Sequence, residues 1–415
     1  MARYDDDFID ISSSEDVNKI YDRQRPAPAA TSKRKNKGLG RRIVVLVLSL
    51  IMMLVGSGLV FYYNVLDKMN FKELEPADAP AATSVTTETT ISVAQGGNTL
   101  LSSDNVLNIL LFGMDTPPSE GDYGRSDTTI LLSIDNVHKK LKLTSFQRDT
   151  YVSIPGYGDN KINSAFSYGG ERLSIDTIET NFGIKVDKYA TVDFSSFRQV
   201  IEALGGVDIE LTLEEIKYIN AQIDVNDQTD ETDYLKYDET KEKQMMHLNG
   251  YQALWYARDR GYDSLGGNPE YSFSGDDWDR TSRQRNLIQT IIKNLREDAS
   301  LTEMVTIANK IGPLVTTNLK KGDITFLVSN MMTYIDYDME ELSVPTENKW
   351  GYGTTADDQS VIVIHDWDGV RNDVARFIYE DSVSGGSSSS SSAGSSSSSV
   401  SGATTVSPTV NSIAQ

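Results

Sequence analysis

Three runs decide the fold: "VLNILLFGM" at residues 106–114, "TTILLSI" at 128–134 and "KLKLTSF" at 140–146. The first two are almost entirely apolar, which is typical of strands in a sheet that is covered on both faces. "KYATVDF" at 188–194 and "GVDIEL" at 206–211 are further strand-like runs. Because helical patterns alternate with these runs, we predict an α/β fold with a central mixed β-sheet flanked by helices on both faces.

The longest predicted helix is "DRTSRQRNLIQTIIKNLRED" at 279–298, in which Leu287, Ile288 and Ile291 begin an apolar stripe at helical spacing. A further helix is expected to begin at Lys161. The other predicted helices are "SSFRQVIEAL" (195–204), "GYQALWYARDR" (250–260) and "DWDGVRNDVARFIYE" (366–380).

The composition excludes several classes of site. The chain has 415 residues, a formal net charge of −21, no cysteine and three scattered histidines. A thiolate nucleophile and a cysteine metal site are therefore impossible, and a histidine-rich metal site is disfavoured. The acidic balance argues against nucleic acid as the main partner.

The N-terminal region has the pattern of a membrane anchor. Residues 1–42 are predicted to be a disordered cytoplasmic tail that ends in the basic run "KRKNKGLGRR", and residues 43–66 carry no charge. Such a run is long enough to span a bilayer, and its basic flank would stay inside the cell, leaving the rest of the chain outside. A cleaved signal peptide is the alternative, but the apolar run is too long and the cleavage-like "ADA" at 77–79 lies too far beyond it.

Composition also divides the remaining chain. Residues 67–104 are rich in Thr, Ser, Ala and Pro and are predicted to be a stalk, and residues 383–415 form a Ser-rich low-complexity tail. The folded domain is predicted at 105–382. Within it, the acidic segment 224–242 is expected to be a surface loop.

Two aspartates mark a possible metal site at the ends of the first two strands. Asp115 follows one strand and Asp127 opens the next, so an antiparallel pair would bring both carboxylates to one edge. Two carboxylates there can bind a hard cation such as Mg²⁺. The alternative is turn chemistry, because aspartate is favoured at strand ends.

Arginines gather in the same part of an acidic chain. Arginine presents a fixed fork of donors that matches phosphate oxygens. Several such forks beside Mg²⁺ would describe a pyrophosphate site, although for any single arginine a local ion pair is the simpler explanation. Three clusters of charged and polar residues contain these arginines: Arg148, Asp149 and Lys161; Arg258 and Arg260; and Asp277, Arg280, Arg283 and Gln284.

The chain resembles the LytR-CpsA-Psr (LCP) family of cell-envelope proteins. The resemblance rests on eight motifs in family order over about residues 106 to 290. The motifs are "NILLFGMD", "RSDTT", "SFQRDTYVSIPG", "NKINSAFSYGG", "DKYATVDFSSF", "ALGGVDIEL", "HLNGYQALWYAR" and "DRTSRQR". The chain departs from the family at Gln147, where proline is frequent, and at 261–275, which is long and is expected to be a lid or acceptor-facing loop.

The resemblance implies a phosphotransferase. It would move a glycopolymer phosphate from a polyprenyl-pyrophosphate carrier, held in an apolar tunnel, to a peptidoglycan sugar hydroxyl. Asp115 and Asp127 match the family's magnesium carboxylates, and Arg148, Asp149 and Asp277 its candidate catalytic groups. The general base stays open among Asp115, Asp127, Asp149 and Asp277. The residues that match its pyrophosphate-binding set are Arg125, Arg148, Lys161, Arg258, Arg260, Arg280 and Gln284.

Two other functions remain as alternatives. The same site could pass the phosphoryl group to water, which would make the protein a hydrolase of lipid-linked pyrophosphates. The protein could also be a non-catalytic wall-binding or regulatory protein, in which case magnesium should not matter. The polymer that would be transferred, whether wall teichoic acid, capsule or another polysaccharide, is not predicted by the sequence.

Overall fold

The structure, a computed structural model, describes residues 70–74, 82–84, 100–115, 123–226, 234–298 and 301–380. The predicted cytoplasmic tail, membrane anchor and Ser-rich tail lie outside these residues. Within the described part of the chain, no helix combines the length and the apolar character that a membrane span requires.

The secondary structure follows the predicted alternation of strands and helices. The strands are β1 (Asn70–Phe71), β2 (Ala82–Ser84), β3 (Leu100–Ser102), β4 (Val106–Met114), β5 (Ser126–Asp135), β6 (Lys140–Phe146), β7 (Tyr151–Ile154), β8 (Gly158–Lys161), β9 (Lys188–Asp193), β10 (Val207–Thr212), β11 (Lys243–Leu248), β12 (Thr316–Thr317), β13 (Asp338–Val344), β14 (Trp350–Thr354) and β15 (Ser360–Ile364). The α-helices are α1 (Ser164–Phe182), α2 (Phe194–Leu204), α3 (Leu213–Val225), α4 (Gly250–Arg258), α5 (Asp277–Asp298), α6 (Leu301–Ile311), α7 (Lys321–Tyr334) and α8 (Trp367–Tyr379).

A seven-stranded mixed sheet forms the centre of the fold, in the order β1-β12-β9-β4-β5-β6-β13. Strand β4 runs antiparallel to β5 and parallel to β9, and β5 runs antiparallel to β6. The carboxyl ends of β4 and β6 and the amino end of β5 therefore meet at one edge. The predicted mixed sheet is confirmed.

Helices cover both faces of this sheet, as predicted. On one face, Leu110, Phe112 and Leu131 pack in a cluster that includes Ile175 of α1 and Ile378 of α8. On the other face, Ile109, Ile134 and Leu141 pack with Tyr334 at the end of α7 and with Ile292 of α5. Alternate residues of β4 thus serve opposite faces, which explains its nearly continuous apolar sequence.

A third hydrophobic cluster lies beyond the central sheet and is built from α2, α3, α4, α5, β10 and β11. Strand β10 was predicted correctly as a strand, but it pairs with β11 rather than with the central sheet. Its alternation of buried and exposed residues agrees with this position, because only one of its faces is covered.

Two predictions at element boundaries were wrong. Lys161 ends β8 opposite Tyr151, and the helix after it begins at Ser164, because residues 151–161 form a tight hairpin. The described strands of the predicted stalk belong to the fold: Asn70 and Phe71 pair with β12, Ala82–Ser84 pair with β3, and Leu100 and Leu101 are buried. The rest of the stalk prediction is not tested by the described residues.

Lys142 is a fully buried cation on β6. Its ammonium lies 2.7 Å from Asp135 Oδ2 and 2.9 Å from Glu380 Oε1, and it donates to the carbonyl of Ile378 at 2.9 Å. Burial acts to raise the pKa of Asp135, but the bonds from Lys142 and His138 outweigh it and hold that pKa below its ordinary value. The ion pair joins the central sheet to the C-terminal end of α8.

We expect Lys142→Ala to lower the free energy of unfolding by about 3–5 kcal/mol, because it leaves the buried carboxylate of Asp135 without the ammonium that balances its charge. Lys140→Ala, which removes the neighbouring, partly exposed lysine, should cost less than about 1 kcal/mol. Urea denaturation measures the free energy of unfolding of both variants. Equal losses would contradict the assignment of Lys142 as the buried partner of Asp135.

Candidate active site

The register of β4 and β5 places the first two candidate carboxylates. After an irregularity at Gly113, Met114 pairs with Ser126, and the N–H of Asp115 donates to the carbonyl of Arg125 at 3.4 Å. A Cβ on Gly113 would lie 2.9 Å from the Cβ of Thr128, so the two strands approach closely only because this residue is glycine. Asp115, Arg125 and Asp127 consequently share one sheet edge.

A polar pocket of about 440 Å³ opens at this edge, and we call it the phosphate pocket. All but two of the predicted site residues line it: Asp115, Arg125, Asp127, Arg148, Asp149, Lys161, Arg258, Arg260, Arg280 and Gln284. The exceptions are Asp277 and Arg283. Several residues that sequence analysis did not single out also line the pocket, among them Asn163, Ser164, Phe194, Tyr262 and Gln359.

Arg148 is the centre of the charge network. Its Nη1 donates to Asp127 Oδ1 at 3.2 Å, and its Nε lies 3.2 Å from Asp277 Oδ1 and 3.5 Å from Asp149 Oδ2. Burial acts to lower the pKa of Arg148, but the three carboxylates together raise it. The guanidinium is therefore held in its charged form at the end of β6.

Asp277 lies behind the arginines rather than in the pocket wall. Its Oδ1 is 3.0 Å from Arg280 Nη2, and the same nitrogen donates to the carbonyl of Asp127 at 3.0 Å. Burial raises the pKa of Asp277 and lowers that of Arg280, and the attraction between their opposite charges acts against both shifts. This geometry makes Asp277 a positioning residue for Arg148 and Arg280.

Asp149 links two cations. Its Oδ1 is 2.8 Å from Lys161 Nζ, while its Oδ2 faces Arg148. Lys161 reaches this position from β8, whose register is set by pairing with β7. The hairpin that follows Asp149 thus brings the second cation of the motif back to the first.

Arg258 and Arg260 are held by aromatic rings. The guanidinium of Arg258 lies 4.5 Å from the ring centre of Phe194 and 4.9 Å from that of Trp255, and Arg260 lies 5.7 Å from that of Tyr262. Stacking fixes the plane of a guanidinium and leaves its N–H donors for a ligand.

The loop 261–275 folds back on itself beside the pocket. Tyr262 and Phe273 exchange two backbone hydrogen bonds of 2.8 and 2.7 Å, and the N–H of Ser274 donates to Glu214 of α3. Tyr262 is the part of this loop that lines the phosphate pocket. The role of the 261–275 loop as a lid or acceptor-facing loop stays a prediction.

The pocket carries a surplus of positive charge in an acidic protein. Six cationic side chains line it, and four carboxylates, including Asp277, lie among them. The formal surplus is two positive charges, and the groups are half-buried, where electrostatic interactions are stronger than in water. A site of this kind attracts a ligand with two or more negative charges.

An apolar cavity of about 210 Å³ adjoins the phosphate pocket, between the sheet and helices α2, α4 and α5. Its walls include Phe112, Ile130, Val192, Leu254 and Ile288. The residues that line both cavities are Thr128, Phe194, Arg258 and Gln284. A ligand with an anionic head and a hydrocarbon tail would fit the two spaces together.

The donor set at Asp115 and Asp127 fits Mg²⁺ in part. Two carboxylates on one edge are suitable hard ligands, but Mg²⁺ requires six oxygens, so phosphate oxygens and water would have to supply the others. In the described chain, the tighter group Asp135, His138 and Glu380 could share a metal by distance. There, however, the ammonium of Lys142 already bonds both carboxylates.

Asp259 and Arg283 form a second ion pair beside the pocket. Arg283, grouped with the site from sequence, does not line the pocket; it bonds Glu215 at 2.8 Å and lies 3.4 Å from Asp259. Burial raises the pKa of Asp259 to about 6. Sequence gave no signal for this aspartate, since its burial depends on how α3, α4 and α5 pack.

The raised pKa of Asp259 predicts a pH-dependent stability. Between about pH 4 and pH 6 the folded state binds the Asp259 carboxyl proton more tightly than the unfolded state does. The contribution of Asp259 to folding stability therefore falls as the pH rises and levels off above pH 6. The free energy of unfolding of Asp259→Asn, measured relative to that of wild type, should therefore rise by about 2–3 kcal/mol from pH 4 to pH 7. Urea titrations at both pH values test this, and a difference independent of pH would contradict it.

Comparison with known proteins identifies a family and several relatives. The chain matches the LytR_cpsA_psr family over residues 67–363. It is 31% identical over 294 residues to the polyisoprenyl-teichoic acid–peptidoglycan teichoic acid transferase TagU of Oceanobacillus iheyensis, covering 68% of this chain and 78% of that protein.

A second relative is the Bacillus subtilis protein of the same description, TagV, which is 32% identical over 216 residues. That match covers 51% of this chain and only half of the TagV sequence. The crystal structure of B. subtilis TagV superposes with a TM-score of 0.50 and 26% identity, over 66% of this chain and 97% of that structure.

Proposed function

This chain belongs to the LytR_cpsA_psr family, and we propose that it is a membrane-anchored phosphotransferase. It would move a glycopolymer phosphate from a polyprenyl-pyrophosphate carrier to a sugar hydroxyl of peptidoglycan. One observation carries the proposal: a cationic pocket and an apolar cavity share Thr128, Phe194, Arg258 and Gln284. The names of two relatives, TagU and TagV, which are teichoic acid transferases, support it.

In this proposal the donor's pyrophosphate lies among the cations of the phosphate pocket. Arg148 and Arg280, held by Asp277, present preset N–H donors, and Lys161, Arg258 and Arg260 complete the cradle. The start of the prenyl chain enters the apolar cavity past Arg258. Preset donors cost no reorganisation when charge develops on phosphate oxygens, which is why such sites accelerate transfer.

The reaction is a displacement at the phosphorus that carries the glycopolymer. The acceptor hydroxyl oxygen forms a new bond to this phosphorus, and the bond to the bridging oxygen of the pyrophosphate breaks. Polyprenyl phosphate leaves, with its charge balanced by arginines. A carboxylate takes the hydroxyl proton. Of the four candidate aspartates we propose Asp149, which lines the pocket between Arg148 and Lys161.

We propose that Asp115 and Asp127 hold Mg²⁺ when the donor is bound. The ion would supply charge neutralisation on the pyrophosphate oxygens. Asp127 would also keep Arg148 in place through the bond of 3.2 Å. The anchor at 43–66, with residues 1–42 inside the cell and the catalytic domain outside, belongs to the same proposal and would keep the site near its membrane-borne donor.

The central test is a transfer assay with the full chain, a short polyprenyl-pyrophosphate glycan, peptidoglycan oligomers and Mg²⁺. Mass spectrometry should detect a phosphodiester-linked adduct. Arg148→Ala should lower kcat by about 10²–10³-fold, because a preset donor to the transferring phosphate is lost. Arg148→Lys should recover only part of the lost kcat, since lysine lacks the fork of donors.

Arg296→Ala is the matched control, because Arg296 lies on the same helix as Arg280 but at its far end, bound to Asp336. It should leave transfer unchanged. Release of free glycan phosphate without an adduct would instead identify a hydrolase. Binding of the donor with no turnover would identify a non-catalytic protein.

The metal proposal has its own test. Asp115→Asn should raise the Mg²⁺ concentration for half-maximal transfer by about tenfold, because one of two charged ligands is lost. Asp149→Asn, which changes a carboxylate in the same pocket, should lower kcat without altering the Mg²⁺ requirement. A chelator should abolish transfer by wild type, and full activity in its presence would refute the metal role.

A further inference from the structure

A groove lined by aromatic rings lies beside the phosphate pocket, and we call it the aromatic groove. It has a volume of about 690 Å³ and its walls include Trp278, Trp350 and Tyr352. The Trp278 and Trp350 rings are stacked with centres 4.9 Å apart, and Tyr352 meets Trp350 edge-on at 5.2 Å. Tyr352 is 69% exposed, so most of its ring is open to a ligand.

The same two elements build the aromatic groove and the phosphate pocket. In the first turn of α5, Arg280 lines the pocket, while Trp278 lines the groove. In the β14–β15 hairpin, Gln359 lines the pocket, while Trp350 and Tyr352 line the groove. The position of one site relative to the other is therefore fixed by short, hydrogen-bonded segments.

Backbone bonds hold both elements in place. The N–H of Ile362 in β15 donates to the carbonyl of Asp149 at 2.9 Å, which ties the hairpin to the end of β6. At the start of α5, the carboxylate of Asp276 accepts from the N–H of Trp278, and Asp279 bonds the N–H of Asp276 in return. This reciprocal cap fixes the first turn, and with it the Trp278 ring.

The polar groups of the groove accept hydrogen bonds and carry negative charge. Carboxylates of Asp276, Glu341 and Glu347 and the hydroxyl of Thr346 line it, whereas no lysine or arginine does so among the described residues. Glu341 is paired with Arg285 at 2.8 Å. The remaining carboxylates would repel a phosphate-rich polymer and accept bonds from sugar hydroxyls and amide N–H groups.

We propose that the aromatic groove is the acceptor subsite and binds a neutral glycan of N-acetylated hexosamines. The C–H faces of the sugar rings would pack on Trp350 and Tyr352, and carboxylates at the rim would accept their hydroxyl and amide protons. The acceptor hydroxyl then reaches the phosphate pocket across the first turn of α5. The term acceptor rests on the proposed transferase function, but the binding of such a glycan does not.

The first experiment measures binding alone. The full chain is titrated with an N-acetylglucosamine tetramer and followed by tryptophan fluorescence and ligand-observed NMR. Saturable binding is expected, and Tyr352→Ala should weaken it about tenfold, which corresponds to about 1.4 kcal/mol. Tyr352→Phe keeps the ring and should bind as wild type. Phe326→Ala, which removes another exposed ring, on α7, should have no effect.

A glycerol-phosphate oligomer of similar length serves as the anionic contrast and should not compete with the tetramer. The proposal is overturned if wild type shows no saturable binding, if Tyr352→Ala binds the tetramer as wild type does, or if the anionic oligomer competes. Self-association that Tyr352→Ala abolishes in sedimentation experiments, without sugar binding, would assign the groove to a second copy of the chain instead.

The second experiment separates this inference from the proposed function. In the transfer assay, Tyr352→Ala should raise the KM for the peptidoglycan oligomer about tenfold, with kcat and the donor KM unchanged. An unchanged acceptor KM would overturn the subsite. If wild type forms no adduct, the transferase proposal fails, and the tetramer titration still decides whether the groove binds glycan.

Discussion

Six cationic side chains share one pocket, and their mutual repulsion is the constraint that the site has to resolve. Carboxylates from different elements lie between them: Asp127 from β5, Asp149 from the end of β6 and Asp277 from α5. Bringing the sheet edge and α5 together without these pairs would bury like charges side by side. The packing of this region and the assembly of its binding site therefore depend on the same contacts.

Much of this arrangement was predictable because strand ends can be recognised in sequence. Asp115 and Arg148 directly follow apolar runs, and antiparallel neighbours bring such ends to one edge. The position of Asp277 was not predictable, since it depends on the rotation of α5 about its axis. Gln359 carried no signal, because a hairpin more than two hundred residues away brings it to the pocket.

The errors have a common physical origin in contacts between segments distant in sequence. Lys161 lies near apolar residues that suit a helix, but pairing with β7 extends the backbone there. The burial of Lys142 has the same origin, because α8 covers its face of the sheet and supplies a partner. Local patterns describe what a segment prefers alone, whereas these positions are decided by what later packs against them.

The ion pair of Lys142 also bears on the order in which the chain can fold. Strand β6 is made early, but its ammonium finds the carbonyl of Ile378 and the carboxylate of Glu380 only after more than two hundred further residues. Until then the ammonium on β6 has only Asp135 to balance it. The face of the sheet around Lys142 can therefore be sealed from water only after α8 has been synthesised.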